Sequence, residues 1–449
     1  MASEKNIFSE IVGVFTSNIA ATIFGLGAGI ILSRVLGPEL KGVYTSLLVI
    51  PGMIASIAAF GTRQSSIYHI GKKIFSNQQV ISALFFLFVT SSIIGISLFL
   101  SYHYFLHKGN YTLLMVMLAM VYLPIKLLIT YSGSIFLANV RFSKANTLKW
   151  LTALLTFIGI FVSVFVFRMS VVGALIALIS ASFIVLLIAV YTIARDYGIK
   201  IHFDKKVIFS IFNMGIIYAL ALFIIQLNFR IDILILDFLS TKKEIGYYSI
   251  GVAVAEKIWQ LPFAIGIVVI SRSANTNNMP ELIKNVSRLL RLGFLIVLVA
   301  SVLLYFIVPY AIPFIYGKAF DKSIEVVQNI LPGILFFVIV RILSSSLAGL
   351  GKPWIIILIF LPALLVNIGL NFLWIPLYGC IGAAWATNVS YISGSIALLI
   401  VYARITKAPI STFILFTRED FNLIRNIRDV RKRKRQLKNS FESIGDESE

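Results

Sequence analysis

The sequence predicts an all-α polytopic membrane protein, with about twelve transmembrane helices in two pseudo-symmetric six-helix lobes around a central cavity. Composition is the first observation. The 449 residues are 59% hydrophobic and only 13% charged, with a mean hydropathy of +0.94, beyond the roughly 45–50% apolar content of a soluble domain. The second is length: apolar runs of about 20 residues recur from end to end, enough to cross a hydrocarbon core as helices, and without the alternation of an outer-membrane barrel. The third is an internal repeat between the two halves of the chain.

Polar breaks divide the apolar runs into twelve spans: 12–33, 43–62, 80–102, 111–138, 148–167, 171–194, 213–239, 247–271, 292–315, 326–350, 354–375 and 379–402. Glu4 and Glu10 ahead of a long first run do not fit a cleaved signal peptide. With the N-terminus inside, the five cytoplasmic loops carry fifteen Lys and Arg and the outer loops eight. That bias places both termini in the cytoplasm. The tail after Tyr402 adds eleven more, including RKRKR at 431–435, so most of the +20 net charge is a topology signal rather than a nucleic-acid footprint. Within the tail, Phe413, Phe416, Leu423, Ile424, Ile427 and Val430 share one side of a helical wheel. Residues 413–430 therefore read either as a basic amphipathic segment for anionic membrane lipids or as a solvated tail that only enforces orientation.

Six positions recur between the halves. Gly42 and Tyr44 match Gly246 and Tyr248; Leu137 and Ala138 match Leu347 and Ala348; Gly159 and Gly173 match Gly369 and Gly382. Order and spacing hold along both halves, which gives an N-terminal lobe over 1–200, a C-terminal lobe over 201–403 and a basic tail over 404–449. Six helices per repeat is an even number, so the lobes share one orientation about an axis along the membrane normal, and the space between them is the natural ligand site.

Enzyme chemistry has little support. One cysteine, Cys380, excludes an intramolecular disulfide, and the four histidines are scattered. There is no nucleophile elbow, Walker loop or dinucleotide fingerprint. The expectation is a transporter with no cofactor.

Seven ionisable residues fall within the spans: Lys126, Arg230, Asp232, Asp237, Glu256, Lys257 and Arg341. At ~2.5–3.5 kcal/mol each on the insertion scale, they cost roughly 20 kcal/mol before pairing and snorkelling are credited. On the helical wheel, Gln226, Arg230 and Asp237 share one face of the seventh span and Asn228 and Asp232 nearly the opposite one. Counting inward from the turn at 240–246 puts Arg230 and Asp232 level with Glu256 and Lys257, so the pairs Arg230–Glu256 and Asp232–Lys257 are available as helix glue. Asp237, near the outer end, can reach the interface. Pro262 follows in the eighth span, where it loosens the helix. Arg341 lies mid-span beside Ser344, Ser345 and Ser346, with no carboxylate nearby in its helix, and points to an anionic ligand. Lys126 follows Pro124 and shares a face with Tyr122. Four cations against three acids favour a cavity that receives negative charge, with Arg230, Lys257, Arg341 and Lys126 as substrate-binding candidates. Asp232 or Glu256 can exchange its cation partner for H+ or Na+, which would couple transport to an ion gradient.

The segments YGKAF at 316–320, LPGILFFVIVRILSSSLAGLGKP at 331–353, VNIGLNFLWIP at 366–376 and LYGCIGAAWATNVSY at 377–391 carry a family likeness. With VLGPELKGVYTSL at 35–47 and the R-x-D of span seven followed by IGYYSIG at 245–251, the chain resembles the polysaccharide-transport and O-antigen flippases, the Wzx-type proteins of the MOP superfamily. The resemblance implies a MATE-like fold that moves an undecaprenyl-pyrophosphate-linked oligosaccharide from the inner to the outer leaflet of the bacterial plasma membrane, in company with a polymerase or other glycan assembly proteins. Lipid II flippases usually carry arginines in the first helix, and MATE antiporters commonly carry an acid there; residues 11–33 here hold no charge. A MATE-type cation or drug antiporter, and a non-transporting membrane scaffold of a glycan assembly complex, are the alternatives. Asn367, Asn371 and Asn388 read as bonds between helices.

Overall fold

The computed structural model describes residues 2–59, 61–105, 111–274, 278–352 and 354–417. The side chain of Gln226 and the tail from 418 to 449 lie outside the described residues. The described residues form helices and no strands.

Helix α1 runs Ala2–Ala58 and is broken at Gly37, whose φ of 71° and ψ of 179° are not helical. The cause is Pro38: a residue before proline is pushed out of the α region, and glycine takes a positive φ without steric cost. The expected loop at 34–42 is thus a kink inside one long helix. There follow α2 (Thr62–Gly71), α3 (Asn77–Phe105), α4 (Leu113–Ala138), α5 (Phe142–Ile160) with a π-helical turn over Phe161–Val166, α6 (Ser170–Tyr197) and α7 (Lys205–Leu239). The second half contains α8 (Lys242–Ala255), α9 (Gln260–Ala274), α10 (Met279–Tyr316), α11 (Lys322–Gly349), α12 (Trp354–Tyr378), α13 (Cys380–Thr406) and the short α14 (Ser411–Ile414). Helices α8 and α9 are separated by a 3-10 turn, Glu256–Trp259. Pro262 explains it, because its ring would meet the carbonyl four residues back.

Nine helices among the described residues are long and apolar enough to cross a membrane. One of them holds both arms of the kinked α1. Adding its second arm, α7 and the interrupted α8–α9 segment gives the expected twelve. Rows of exposed apolar side chains on α6, such as Phe183, Leu187 and Tyr191, and on α10, such as Val299, Leu303 and Tyr310, suit lipid rather than water.

The chain forms two compact units by its contacts. The first holds Met1–Glu256, Leu304–Gly333 and Ile357–Ser390; the second holds Lys257–Leu303, Ile334–Ile356 and Tyr391–Glu449. Inside the first unit, Leu32, Leu47, Leu123 and Leu175 anchor one buried cluster. Val80, Phe136, Val185 and Ile211 anchor another, and α4 and α6 contribute to both. The repeat-related glycines meet there: a Cβ on Gly42 would strike the carbonyl of Lys242, and one on Gly246 the carbonyl of Pro38. Only glycine lets α1 and α8 approach so closely. In the second unit, Trp259, Phe337 and Tyr391 pack with ring centroids 4.6–5.9 Å apart. Ser346 bridges Ser273 and the Tyr402 hydroxyl at 3.1 and 2.8 Å.

The start of the tail departs from expectation. Helix α14 ends at Ile414 and Leu415 is extended, so no continuous amphipathic helix begins at Phe413. Phe413 is 1% exposed and packs edge-on against Tyr402, 5.5 Å between centroids.

Candidate functional site

Three groups of polar side chains stand out within the apolar helices. The first surrounds Lys126. Pro124 lies two residues before it on α4, and the Lys126 ammonium sits 5.7 Å from the centroid of the Tyr122 ring. On the other side is Gly52 of α1, where a Cβ would come within 3.1 Å of the nitrogen. Lys126 lines a cavity of about 640 Å³ together with Asn18, Arg63, Tyr122, Asn146 and Lys149. The Lys149 ammonium donates to Asn18 Oδ1 at 2.6 Å. The described lining thus carries three cations and no carboxylate. Fixed positive charge beside low-dielectric walls is arranged for an anion, and lysine holds phosphate as a point charge.

The second group is built on α7. Asp232 is 1% exposed. Its Oδ2 accepts from the Tyr248 hydroxyl at 2.9 Å and lies 3.1 Å from the Thr387 hydroxyl, and its Oδ1 accepts from Asn371 at 2.7 Å. The same Asn371 amide also faces the carbonyl and Oδ1 of Asn367, both at 2.9 Å, and Thr387 also faces the Ala383 carbonyl at 2.9 Å. The Asn371 amide oxygen and the Asn367 amide nitrogen are both buried with no hydrogen-bond partner among the described residues. A buried carboxylate held by neutral groups suits uptake of a proton or a monovalent cation. Asn228 is buried on the same face of α7, where it donates to the Phe360 carbonyl at 3.2 Å and accepts from Ser390 at 3.1 Å.

Arg230, on the other face, is more open. It meets Glu256 at 3.5 Å, with side chains 34% and 22% exposed, as the residue count had placed them. The expected Asp232–Lys257 pairing is corrected: Asp232 takes its bonds from neutral donors on α8, α12 and α13, and Lys257 is an exposed residue of the 3-10 turn. The Asp237 carboxylate, near the end of α7, is 1% exposed and is bound by Lys242 and by the Tyr102 and Tyr111 hydroxyls at 3.0 and 3.4 Å.

The third group belongs to the second unit. The Arg341 guanidinium lies 3.8 Å from the centroid of Phe263, 5.3 Å from Phe337 and 5.5 Å from Trp259. Ser345 donates back to the Arg341 carbonyl at 2.7 Å. Such stacking holds a planar cation in one orientation by cation–π attraction of about 0.5–2 kcal/mol.

Of the sequence-derived candidates, the structure brings Arg230 to Glu256, and sets Lys126 in a cavity whose lining does not include Arg230. Arg63 and Lys149 were missed as site residues because they sit at span ends, where basic residues also serve topology. Tyr248, Asn367, Asn371 and Thr387 were missed as partners of Asp232. The i, i+4 spacing of Asn367 and Asn371 on an apolar helix was the available signal. For Arg341 the signal was aromatic: Trp259 and Phe263 are four apart, as are Phe337 and Arg341.

A model of a family described as "Polysaccharide biosynthesis protein" matches residues 5–270. A putative O-antigen transporter of Shigella flexneri is 26% identical over 389 residues, covering 83% of this chain and 92% of that protein. Among solved structures, a lipid II flippase MurJ in an inward closed conformation aligns with a TM-score of 0.72 at 20% identity, over 89% of this chain and 88% of that one. An inward-facing multidrug resistance MATE family transporter of the MOP superfamily gives 0.69 at 16% identity, over 86% and 94%. These two establish a common fold.

Proposed function

Because the chain belongs to the polysaccharide biosynthesis protein family, we propose that this multi-pass membrane protein is a flippase for an undecaprenyl-pyrophosphate-linked oligosaccharide. In this reading it carries the lipid from the inner to the outer leaflet of the bacterial plasma membrane, with both termini in the cytoplasm. The observation that carries the proposal is the cavity of Lys126, Arg63 and Lys149, three cations with no acid in the described lining. A pyrophosphate is a compact multiple anion that such a cavity can hold while the sugars remain solvated. Arg230 and Arg341 are further candidate contacts, and Lys257 a third. The two repeats, 1–200 and 201–403, form the lobes that alternate access.

Ion coupling is assigned to Asp232. A buried carboxylate costs several kcal/mol to keep charged without a cation. Binding H+ or Na+ among Asp232, Asn367, Asn371 and Thr387 would relieve that cost and shift the equilibrium between conformations. Glu256, partly exposed beside Arg230, serves as the second candidate. Polymerase and other glycan assembly proteins are the expected partners. The buried acid also favours a second reading, a MATE-type cation or drug antiporter, but the positive cavity opposes it.

The test is transport of a defined lipid-linked oligosaccharide in proteoliposomes, with and without a proton or sodium gradient. Lys126→Gln is expected to lower the initial rate at least tenfold while reconstitution is unchanged. Wild-type flipping by Lys126→Gln, or export of organic cations instead of the glycolipid, would reject the proposal.

A further inference from the structure

Helix α11 contains a stretch whose backbone is bonded from outside the helix. Pro332 has no N–H, so the carbonyl of Gln328, four residues back, loses its helical donor. At the next rung the Asn388 side chain of α13 stands between donor and acceptor. Its amide nitrogen donates to the Asn329 carbonyl, and its Oδ1 accepts from the Gly333 N–H at 2.7 Å. In a regular helix those two backbone groups would bond each other. Only glycine admits the amide so closely, since a Cβ on residue 333 would strike Asn388 Oδ1. Further along, the Ile334 carbonyl accepts from the Trp259 indole N–H at 3.2 Å, and the Phe336 carbonyl from the Ser395 hydroxyl at 2.9 Å.

Proline, and a side chain inserted into the i to i−4 ladder, are common causes of a helix bend. In hydrocarbon a bend is costly through the backbone groups that it frees, and donors from neighbouring helices remove that cost. Residues 328–336 hold both causes and the compensating donors. We infer that α11 bends over 328–336 during the transport cycle, with the Asn388 amide as its pivot. The turn before the bend is fixed to α8: Lys322 donates to Glu244 at 2.6 Å, and a Cβ on Gly251 would strike Val326. The part beyond it carries Phe337 and Arg341, whose guanidinium stacks on Phe263. Bending at the Asn388 rung redirects the Arg341 turn while the Lys322 turn stays in place. The bend is a property of α11; its use in moving a lipid-linked oligosaccharide rests on the flippase reading.

The experiment closes the ladder and reads the helix and the transport separately. The double variant Pro332→Ala, Asn388→Leu supplies an N–H at 332 and leaves Gly333 and Asn329 to bond each other, with side-chain volume at 388 nearly kept. Backbone hydrogen exchange of the full chain in detergent, followed by mass spectrometry, is expected to slow about tenfold over 328–336, roughly the factor of one hydrogen bond. The unfolding midpoint is expected to stay or rise, while flipping in proteoliposomes falls at least tenfold. Faster exchange with a lower midpoint would make Asn388 a purely structural contact and overturn the pivot. Slowed exchange with flipping at the wild-type rate would overturn it as well. If the double variant does not accumulate, Pro332→Ala alone, at an exposed position, should slow exchange about threefold and lower flipping, and unchanged exchange there would reject the bend. If the wild-type protein moves no lipid-linked oligosaccharide, the flippase reading fails, and the exchange rates alone then decide the bend: slowed supports it, unchanged rejects it.

Discussion

Arg230 and Asp232 are two residues apart on α7 and live in opposite surroundings. The arginine is about one-third exposed and touches Glu256 at 3.5 Å; the aspartate is sealed among Tyr248, Thr387 and Asn371. Helical geometry causes this, since residues two apart point to nearly opposite faces. Asp232→Asn keeps the volume and removes the charge, so it is expected to abolish any dependence of flipping on the ion gradient while leaving expression normal; gradient-dependent flipping by the variant would remove Asp232 from coupling. Arg341 makes a different prediction. Its stacking on Phe263 requires a planar guanidinium, so Arg341→Lys should restore little of what Arg341→Ala loses, with rates in both at least tenfold down. Full activity of the lysine variant in the same proteoliposome assay would show that charge alone matters there.

Between elements, α1 and α8 approach with backbone against backbone at Gly42 and Gly246. An added methyl group at either position meets backbone, which cannot rotate away, and overpacking of this kind costs about 1–3 kcal/mol. Gly42→Ala and Gly246→Ala should each lower the unfolding midpoint in detergent, and the double variant should cost less than the sum, because the first methyl already separates the helices. Strict additivity would mean that the two glycines do not share one contact. The link between α2 and α7 is polar instead: the buried His69 ring binds the Ser65 carbonyl at 2.8 Å and the Ser210 hydroxyl at 2.9 Å. The interruption between α8 and α9 places Glu256 and Lys257 on a tighter turn, which alters the direction of both side chains relative to a continuous helix.

For the molecule as a whole, the seven charges within the spans are held in several ways. Asp237 is salt-bridged to Lys242, Arg230 meets Glu256, Asp232 is hydrogen-bonded by neutral groups, and Arg341 is stacked on aromatic rings. Lys126 instead lines a cavity with Arg63 and Lys149, and Lys257 is exposed on the 3-10 turn. Such variety argues against helix glue as the common purpose of these residues. Removing residues 418–449 should leave insertion and flipping largely intact, because the candidate transport residues all precede it. Complete loss of surface glycan with normal insertion would favour a scaffold acting through its tail.

The approximate number of spans and the Arg230–Glu256 contact were legible in the sequence, while several span limits were not. Hydrophobic length and helical period are local properties, and a short turn brings adjacent helices back at a countable depth. The partners of Asp232 were not legible, since Asn371 and Thr387 lie more than a hundred residues away and counting along one hairpin favoured Lys257. Nor was the cavity around Lys126: Arg63 and Lys149 look like ordinary topology charges until α2, α4 and α5 are brought together. The sequence by itself determined which residues must be inside the membrane, because the bilayer penalises each polar group one at a time. Only the tertiary structure decided which of them are neutralised by a neighbour and which face open space, because that depends on helix packing between distant parts of the chain.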